Sequence, residues 1–279
     1  MSWFPFVREV QGGGYEFKPL SDTRILGVLQ RIALCYLIAS VIIHYGSKKI
    51  AVVFSVLALV GYWIIMKVYG DPNDPFSLAG NAALRLDLFV FGGNHLYHGE
   101  GVPFDPEGIL STLPAIVNVI VGYLAGDFIR KHGNSYETVS KLLIAGAILI
   151  LAALTWNMAF PINKKLWTSS FVLLTVGIDL ILLPMLIYFV EIHKYKKWTS
   201  FFTVFGKNPL FIYLLSELLL VTLYLIPVGE SNLQHWLSHN FLESIFSPIN
   251  ASCAFAVLFM FVCWAVGLLL DKKGIYIKV

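Results

Sequence analysis

The sequence predicts an all-α polytopic membrane protein, a bundle of about seven transmembrane helices with a long outward loop between the second and third. Composition is the first observation: of 279 residues, 57% are hydrophobic and only 13% charged, with a mean hydropathy of +0.74. A soluble domain carries about 25% charged residues. The second is length, because apolar runs of about 20 residues, enough to cross a hydrocarbon core of about 30 Å, recur along the chain. The third is pattern: the runs are continuous rather than alternating, which selects helices over the strands of a closed barrel.

Seven such runs are read, at 25–45, 50–69, 108–128, 139–160, 168–190, 209–226 and 251–270. The first carries Gln30 and Arg31 about two turns inside its start. An arginine at a helix centre costs about 2.5–3.5 kcal/mol on insertion scales, so Arg31 is expected to find a partner or to snorkel. The second follows the basic pair Lys48-Lys49. The third follows Asp105-Pro106-Glu107, which reads as a helix start with Asp as cap and Pro in first position. Along it Glu107, Ser111, Asn118 and Gly122 share one polar stripe that must face protein or water. Gly122 and Gly126 form a GxxxG expected to allow close helix packing.

Between the fourth and fifth spans lie Asn163, Lys164, Lys165 and Trp167. The lysines either have a use or snorkel beside an interfacial tryptophan. Asp179 in the fifth span and Glu217 in the sixth are intramembrane carboxylates, to be paired, protonated or exposed to a wet cavity. One of them is expected to pair with Arg31. The sixth span opens at Gly206-Lys207-Asn208-Pro209, either an ordinary helix start or an N-terminus able to receive a phosphate.

Seven crossings divide the loops between two sides, with twelve of the 20 Lys and Arg residues on one side and eight on the other. The positive-inside trend then places the C-terminus in the cytoplasm and the N-terminus and the segments around 70–107, 163–167 and 227–250 outward. The expected organisation is an outward segment at 1–24, a transmembrane bundle at 25–270 and a cytoplasmic tail at 271–279. Met1 to Phe6 reads either as the end of a preceding span or as an interfacial anchor of Trp and Phe. A net charge of +3, dispersed along the chain, excludes a phosphate-tracking nucleic-acid groove. Cys35, Cys253 and Cys263 lie in apolar runs without a CxxC, so small-residue packing is favoured over zinc or disulfide.

The loop between the second and third spans is too long for an idle connection. It mixes Leu84 to Phe91 with Asn94, His95, Tyr97, His98, Asp105 and Glu107. That composition suits a half-buried lid or an interfacial amphipathic helix whose ionisable groups face water. No P-loop, HExxH, GxSxG or dinucleotide fingerprint is present. The residues by themselves leave membrane enzyme and transporter level.

Three ordered motifs carry a resemblance. Arg24-Ile25-Leu26-Gly27-Val28-Leu29-Gln30-Arg31-Ile32-Ala33, then Gly93-Asn94-His95-Leu96-Tyr97 with Asp105-Pro106-Glu107-Gly108, then Ile162-Asn163-Lys164-Lys165-Leu166-Trp167-Thr168 resemble segments of the heparan-alpha-glucosaminide N-acetyltransferase family and its bacterial relatives. The resemblance implies transfer of an acyl group from acetyl-CoA, or another acyl-CoA, to an amino sugar such as glucosamine. It implies His95, Asp105 and Glu107 as catalytic residues: His95 as base or orienting group, the two acids holding a protonated amino sugar. Gln30, Arg31, Asn94, Asn118, Asn163, Lys165, Trp167 and Asn208 are the residues expected to meet substrate or donor, with no metal. The implied setting is the lipid bilayer, in a bacterial inner membrane, without nucleic acid and with a homodimer allowed. The family also has earlier spans with an LDxxRG stretch and an outward HxxW segment that is usually assigned the catalytic histidine. Neither pattern occurs in this chain, which is therefore expected to lack the first helices of the family. A transporter or binding protein for a sugar-like solute, or an inactive short form, is the alternative.

Overall fold

A computed structural model describes residues 7–9, 15–17, 19–229 and 231–277. Met1 to Phe6, expected as the end of a span or an anchor, lie outside the described residues. The architecture is all-α and polytopic, as expected. Among the described residues six helices are long and apolar enough to cross a membrane, or seven if a sharply bent pair counts as one span. By backbone contacts the chain divides into two compact units, Met1–Lys194 and Tyr195–Val279.

The first unit opens with a short antiparallel ladder, β1 (Val7–Glu9) against β2 (Tyr15–Phe17). Helices α1 (Val28–Tyr45) and α2 (Lys48–Tyr69) follow, separated by Gly46 and by Ser47, whose hydroxyl caps the Ile50 N–H. Helix α3 (Ala82–Phe91) lies in the long loop. Its cap is Asn81, fully buried, which accepts from the Leu84 N–H and donates to the carbonyls of Ser77 and Leu78. One face of α3 buries Ala83, Leu84 and Asp87, while Phe89 is 88% exposed. The loop is thus a half-buried amphipathic helix, and its aspartate faces protein rather than water.

Helices α4 (Ile109–His132) and α5 (Tyr136–Trp156) form a hairpin. Gly133, at φ 69°, ends the first, and Ser135 caps the second through the Thr138 N–H. Positive φ costs glycine nothing, which suits it to this turn. Helix α6 (Ser169–Leu186) is capped by Thr168, contains Pro184, and runs into a π-helical turn, Ile187–Ile192. Close helix approach occurs between α5 and α6. A Cβ on Gly146 would lie 2.7 Å from the Gly177 carbonyl, and one on Gly177 would lie 2.9 Å from that of Gly146. The expected GxxxG contact is not made: a Cβ at Gly122 or Gly126 meets nothing within 4 Å among the described residues.

Three apolar clusters hold this unit together. Cys35, Ala39, Ala51, Ile116 and Ile120 join α1, α2 and α4, and Leu59, Val117, Leu142, Val172 and Val176 join α2, α4, α5 and α6. At the end of the bundle where α2 finishes and α4 and α6 begin, Tyr62, Met66, Leu84, Leu96, Phe104, Phe160 and Leu166 form the third. This cluster fixes the long loop and the segment before α6 against the same end of the helices.

In the second unit, α8 (Pro209–Leu225) coincides with the run expected at 209–226, and the unexpected α7 (Thr199–Lys207) meets it at an 83° bend. Asn208 sits at the bend, fully buried. Its side chain gives α8 no cap; instead it donates to the Ile275 carbonyl and accepts from the Ile277 N–H. Proline at 209 cannot continue the hydrogen-bond ladder of α7. A two-residue ladder, β3 (Pro227–Val228) with β4 (Ser231–Asn232), precedes the short α9 (Leu233–His235), which runs into the π-helical Trp236–Leu242. The long α10 (Pro248–Lys272) closes the unit, with Gly267 against Ile212 and Val204 and an ion pair between Asp271 and Lys207 at 2.6 Å.

Candidate functional site

Three stretches distant in sequence converge at one end of the first unit: residues 23–31, the loop 93–111 and the segment 161–168. Arg24, just ahead of α1, joins the first two. Its Nε donates to Asp105 Oδ2 at 2.8 Å, and its Nη2 donates to Asp105 Oδ1 at 2.6 Å and to Glu107 Oε2 at 2.5 Å. The guanidinium also lies 4.9 Å from the centre of the Tyr97 ring. Planar two-pronged donation of this kind is specific to arginine. Burial alone would lower the pKa of Arg24, but its hydrogen bonds and charge contacts with Asp105 and Glu107 outweigh that and raise it.

His95 is fastened to the same stretch. Its carbonyl accepts from the Ile25 N–H, and its Nδ1 lies 2.8 Å from the Thr23 carbonyl. A carbonyl can only accept, so Nδ1 carries the proton, and in the neutral ring Nε2 is left as an acceptor. Nε2 has no partner among the described residues. Asn94 and Gln30 are exposed nearby in sequence.

Arg31 joins all three stretches. Nη1 donates to the Pro106 carbonyl at 2.7 Å and Nη2 to the Ser111 carbonyl at 2.6 Å, while the guanidinium sits 4.3 Å over the Trp167 ring. The expected pairing of Arg31 with Asp179 is not made: the backbone carbonyls of Pro106 and Ser111 accept its protons. Asp179 is exposed instead, in a cleft of about 290 Å³ between α4 and α6 that Asn118 and Gly122 also line. Glu217 belongs to the second unit. Arg31 Nε is buried without a partner among the described residues, a donor that a bound oxygen would satisfy.

Trp167 takes φ 52°, rare for a non-glycine residue, and its Nε1 donates to Asn118 Oδ1 at 3.1 Å. Asn118 passes the chain on to Thr175 at 3.4 Å. Asn163 Oδ1 accepts from the N–H groups of Lys165 and Leu166, and Thr168 Oγ1 bonds the Pro161 carbonyl and the Asn163 N–H. Tyr62 donates to the Leu166 carbonyl at 2.5 Å. Lys165 pairs with Glu100 of the loop. The NKxLW segment is therefore a built turn with an internal use for its asparagine and second lysine.

Asp105 does not cap α4 as expected. Its Oδ1 accepts from the Glu107 N–H in a local turn, the helix starts later at Ile109, and Gly108 has no side chain to cap with. Asp87 supplies the cap from α3, accepting the Ile109 N–H at 3.0 Å. Asp87 is fully buried and its Oδ2 has no partner among the described residues. Burial raises its pKa; the Ile109 N–H pulls it down in part and the charge of Asp105 pushes it up, to about 6 overall.

The chain is 27% identical over 259 residues to the mouse (Mus musculus) heparan-alpha-glucosaminide N-acetyltransferase, covering 74% of this chain and 39% of the relative. The human (Homo sapiens) protein of the same name is 26% identical over 253 residues, covering 71% and 38%. The similarity supports a heparan-alpha-glucosaminide N-acetyltransferase-like family. No protein-family model matches the chain. The chain spans about two fifths of the length of these relatives.

Of the expected site residues, His95, Asp105, Glu107, Arg31, Asn118, Asn163, Lys165 and Trp167 are linked by the contacts above. Gln30 and Asn94 stand at the edge, and Asn208 lies in the second unit. Arg24 and Asp87 were not singled out from sequence. Arg24 is the first residue of the first resembling stretch, and Asp87 is the lone acid in the apolar run from Leu84 to Phe91.

Proposed function

We propose that this chain is a membrane-embedded acyltransferase that moves an acetyl, or another acyl, group from acyl-CoA to an amino sugar such as glucosamine. The observation that carries the reading is His95, whose Nδ1–H is held by the carbonyl of Thr23, the residue before Arg24 of the Arg24–Asp105–Glu107 cluster, which leaves Nε2 as an acceptor. Similarity to two membrane N-acetyltransferases supports it.

In the proposed reaction acyl-CoA supplies the activated thioester. The sugar ammonium first meets Glu107, which holds Arg24 through Oε2 and keeps Oε1 for the acceptor. His95 Nε2, the free acceptor of the ring, takes a proton from the amine. Amine attack forms the C–N bond, the C–S bond breaks, and the second N–H proton passes to the departing sulfur, which leaves as the thiol. The Nε–H of Arg31 is a donor for a donor-substrate oxygen, and Trp167 packs against the face of the guanidinium. The motif end faces outward, away from the side that carries the excess of lysine.

Purified protein given labelled acetyl-CoA and glucosamine tests the reading. Labelled N-acetylglucosamine that disappears in a folded His95→Ala variant supports it. Uptake of labelled glucosamine into vesicles with no acetylation overturns it in favour of transport.

A further inference from the structure

The last turns of α1 and the second half of α4 enclose a groove that the proposed chemistry does not use. One hollow, of about 430 Å³, is lined by Tyr36, Ser40, His44 and Tyr123 together with aliphatic side chains. A second, of about 320 Å³, is lined by Tyr123, Gly126, Asp127 and Arg130. Tyr123 belongs to both, and 123, 126, 127 and 130 lie on one face of α4, so the two hollows meet at its side chain. The groove leads away from the motif end toward the opposite end of the bundle.

A cationic cluster closes it there. Buried Asp127 receives Lys48 from the start of α2, Arg130 at 3.3 Å and Lys131 at 3.2 Å. One carboxylate facing three cations leaves two positive charges over. The cations keep side-chain exposures of 48%, 78% and 56%, so their remaining donors are accessible.

We propose that this groove binds an anionic phospholipid, with the headgroup phosphate on Lys48, Arg130 and Lys131 and the glycerol region along Tyr123, Ser40 and Tyr36. Phosphate oxygens accept charge-assisted hydrogen bonds from lysine and arginine, the latter in two-pronged fashion. Basic pockets between helices at a membrane surface suit such headgroups. The polar hydroxyls continuing from the cluster to the level of the spans fit a lipid's ester region, which a small soluble phosphate lacks. A zwitterionic headgroup would bring its own ammonium against the cluster. The assignment does not depend on the proposed acyl transfer.

Lipid retention on the purified protein, measured by native mass spectrometry in detergent, tests the site. Phosphatidylglycerol is expected to bind and phosphatidylcholine to bind at least tenfold more weakly. The double variant Arg130→Gln/Lys131→Gln is expected to lose about 25-fold in affinity, at roughly fivefold per charge. Lys141→Gln removes a cation paired with Glu137 outside the groove and is expected to change nothing. Asp127→Asn removes the competing anion and is expected to tighten binding, an outcome that a purely structural cluster does not produce. Tyr123→Leu weakens the lipid while leaving inorganic phosphate unaffected. Equal binding of the two lipids, or unchanged affinity in the double variant, overturns the proposal. Inorganic phosphate binding as tightly as the lipid also overturns it, and assigns the cluster to soluble phosphate esters. If the double variant does not fold, Lys48→Gln carries the same expectation at about fivefold.

Discussion

Asp87 Oδ1 accepts the Ile109 N–H at 3.0 Å and caps, from another helix, an N-terminus that has no side-chain cap of its own. The contact spans 22 residues of sequence and ties the amphipathic α3 to the start of α4. It also sets the place where the Pro106 and Ser111 carbonyls meet Arg31.

Gly108 is the residue that permits this approach. A Cβ there would lie 1.9 Å from Asp87 Oδ2. Gly108→Ala is therefore expected to destabilise the protein by about 2–3 kcal/mol through overpacking. In Asp87→Ala/Gly108→Ala the glycine substitution should cost much less. Chemical denaturation of the single and double variants checks this, and additive costs would contradict the contact.

The pH dependence of stability follows from the same carboxyl group. With its pKa pushed up to about 6 in the folded protein, above the ordinary 3.8, Asp87 binds its proton more tightly folded than unfolded. The stability this confers is fully present below about pH 4 and is lost as pH rises through about 6, a change of at most about 3 kcal/mol. Asp87→Asn cannot titrate and should lack that fall. Unfolding midpoints at closely spaced pH values between 4 and 7, for both proteins, measure the difference.

The Arg24–Asp105 pair sets a second expectation. Asp105 is buried, so Arg24→Met leaves its charge without its main partner and is expected to cost about 3–5 kcal/mol. Arg24→Lys keeps the charge but not the two-pronged geometry and should fall between. Arg24→Met/Asp105→Leu should recover most of the loss. Denaturation of these three variants gives the ranking.

The sequence made the spans legible because hydropathy and run length survive any tertiary arrangement, and six expected runs coincide with long helices. The 83° bend at Asn208 was not legible, since it depends on a side chain clamped to residues 275 and 277. For the site, the motif residues could be named but not their partners. Arg31 was expected to seek a carboxylate, and the carbonyls of Pro106 and Ser111 accept it instead; backbone acceptors have no signature in a residue string. Gly122 and Gly126 matched a packing motif, yet the close approach is made by Gly146 and Gly177, which no short spacing connects.

Orientation is open to a direct test. With the motif end outward and the C-terminus cytoplasmic, reporter fusions after residue 279 and within the loop 99–102 are expected to report opposite sides of the membrane. The same side from both fusions would contradict the charge-based orientation.

The most direct measurement is acyl transfer itself, from labelled acetyl-CoA to glucosamine, by the purified protein and by folded His95→Ala and His95→Gln variants. A catalytic base predicts that both variants lose about 10²–10⁴-fold in rate, although glutamine can keep the hydrogen bond to the Thr23 carbonyl. Transfer that survives in His95→Gln would reduce His95 to a clasp, and no transfer by the native protein, with sugar carried across vesicles instead, would contradict the assignment as an acyltransferase.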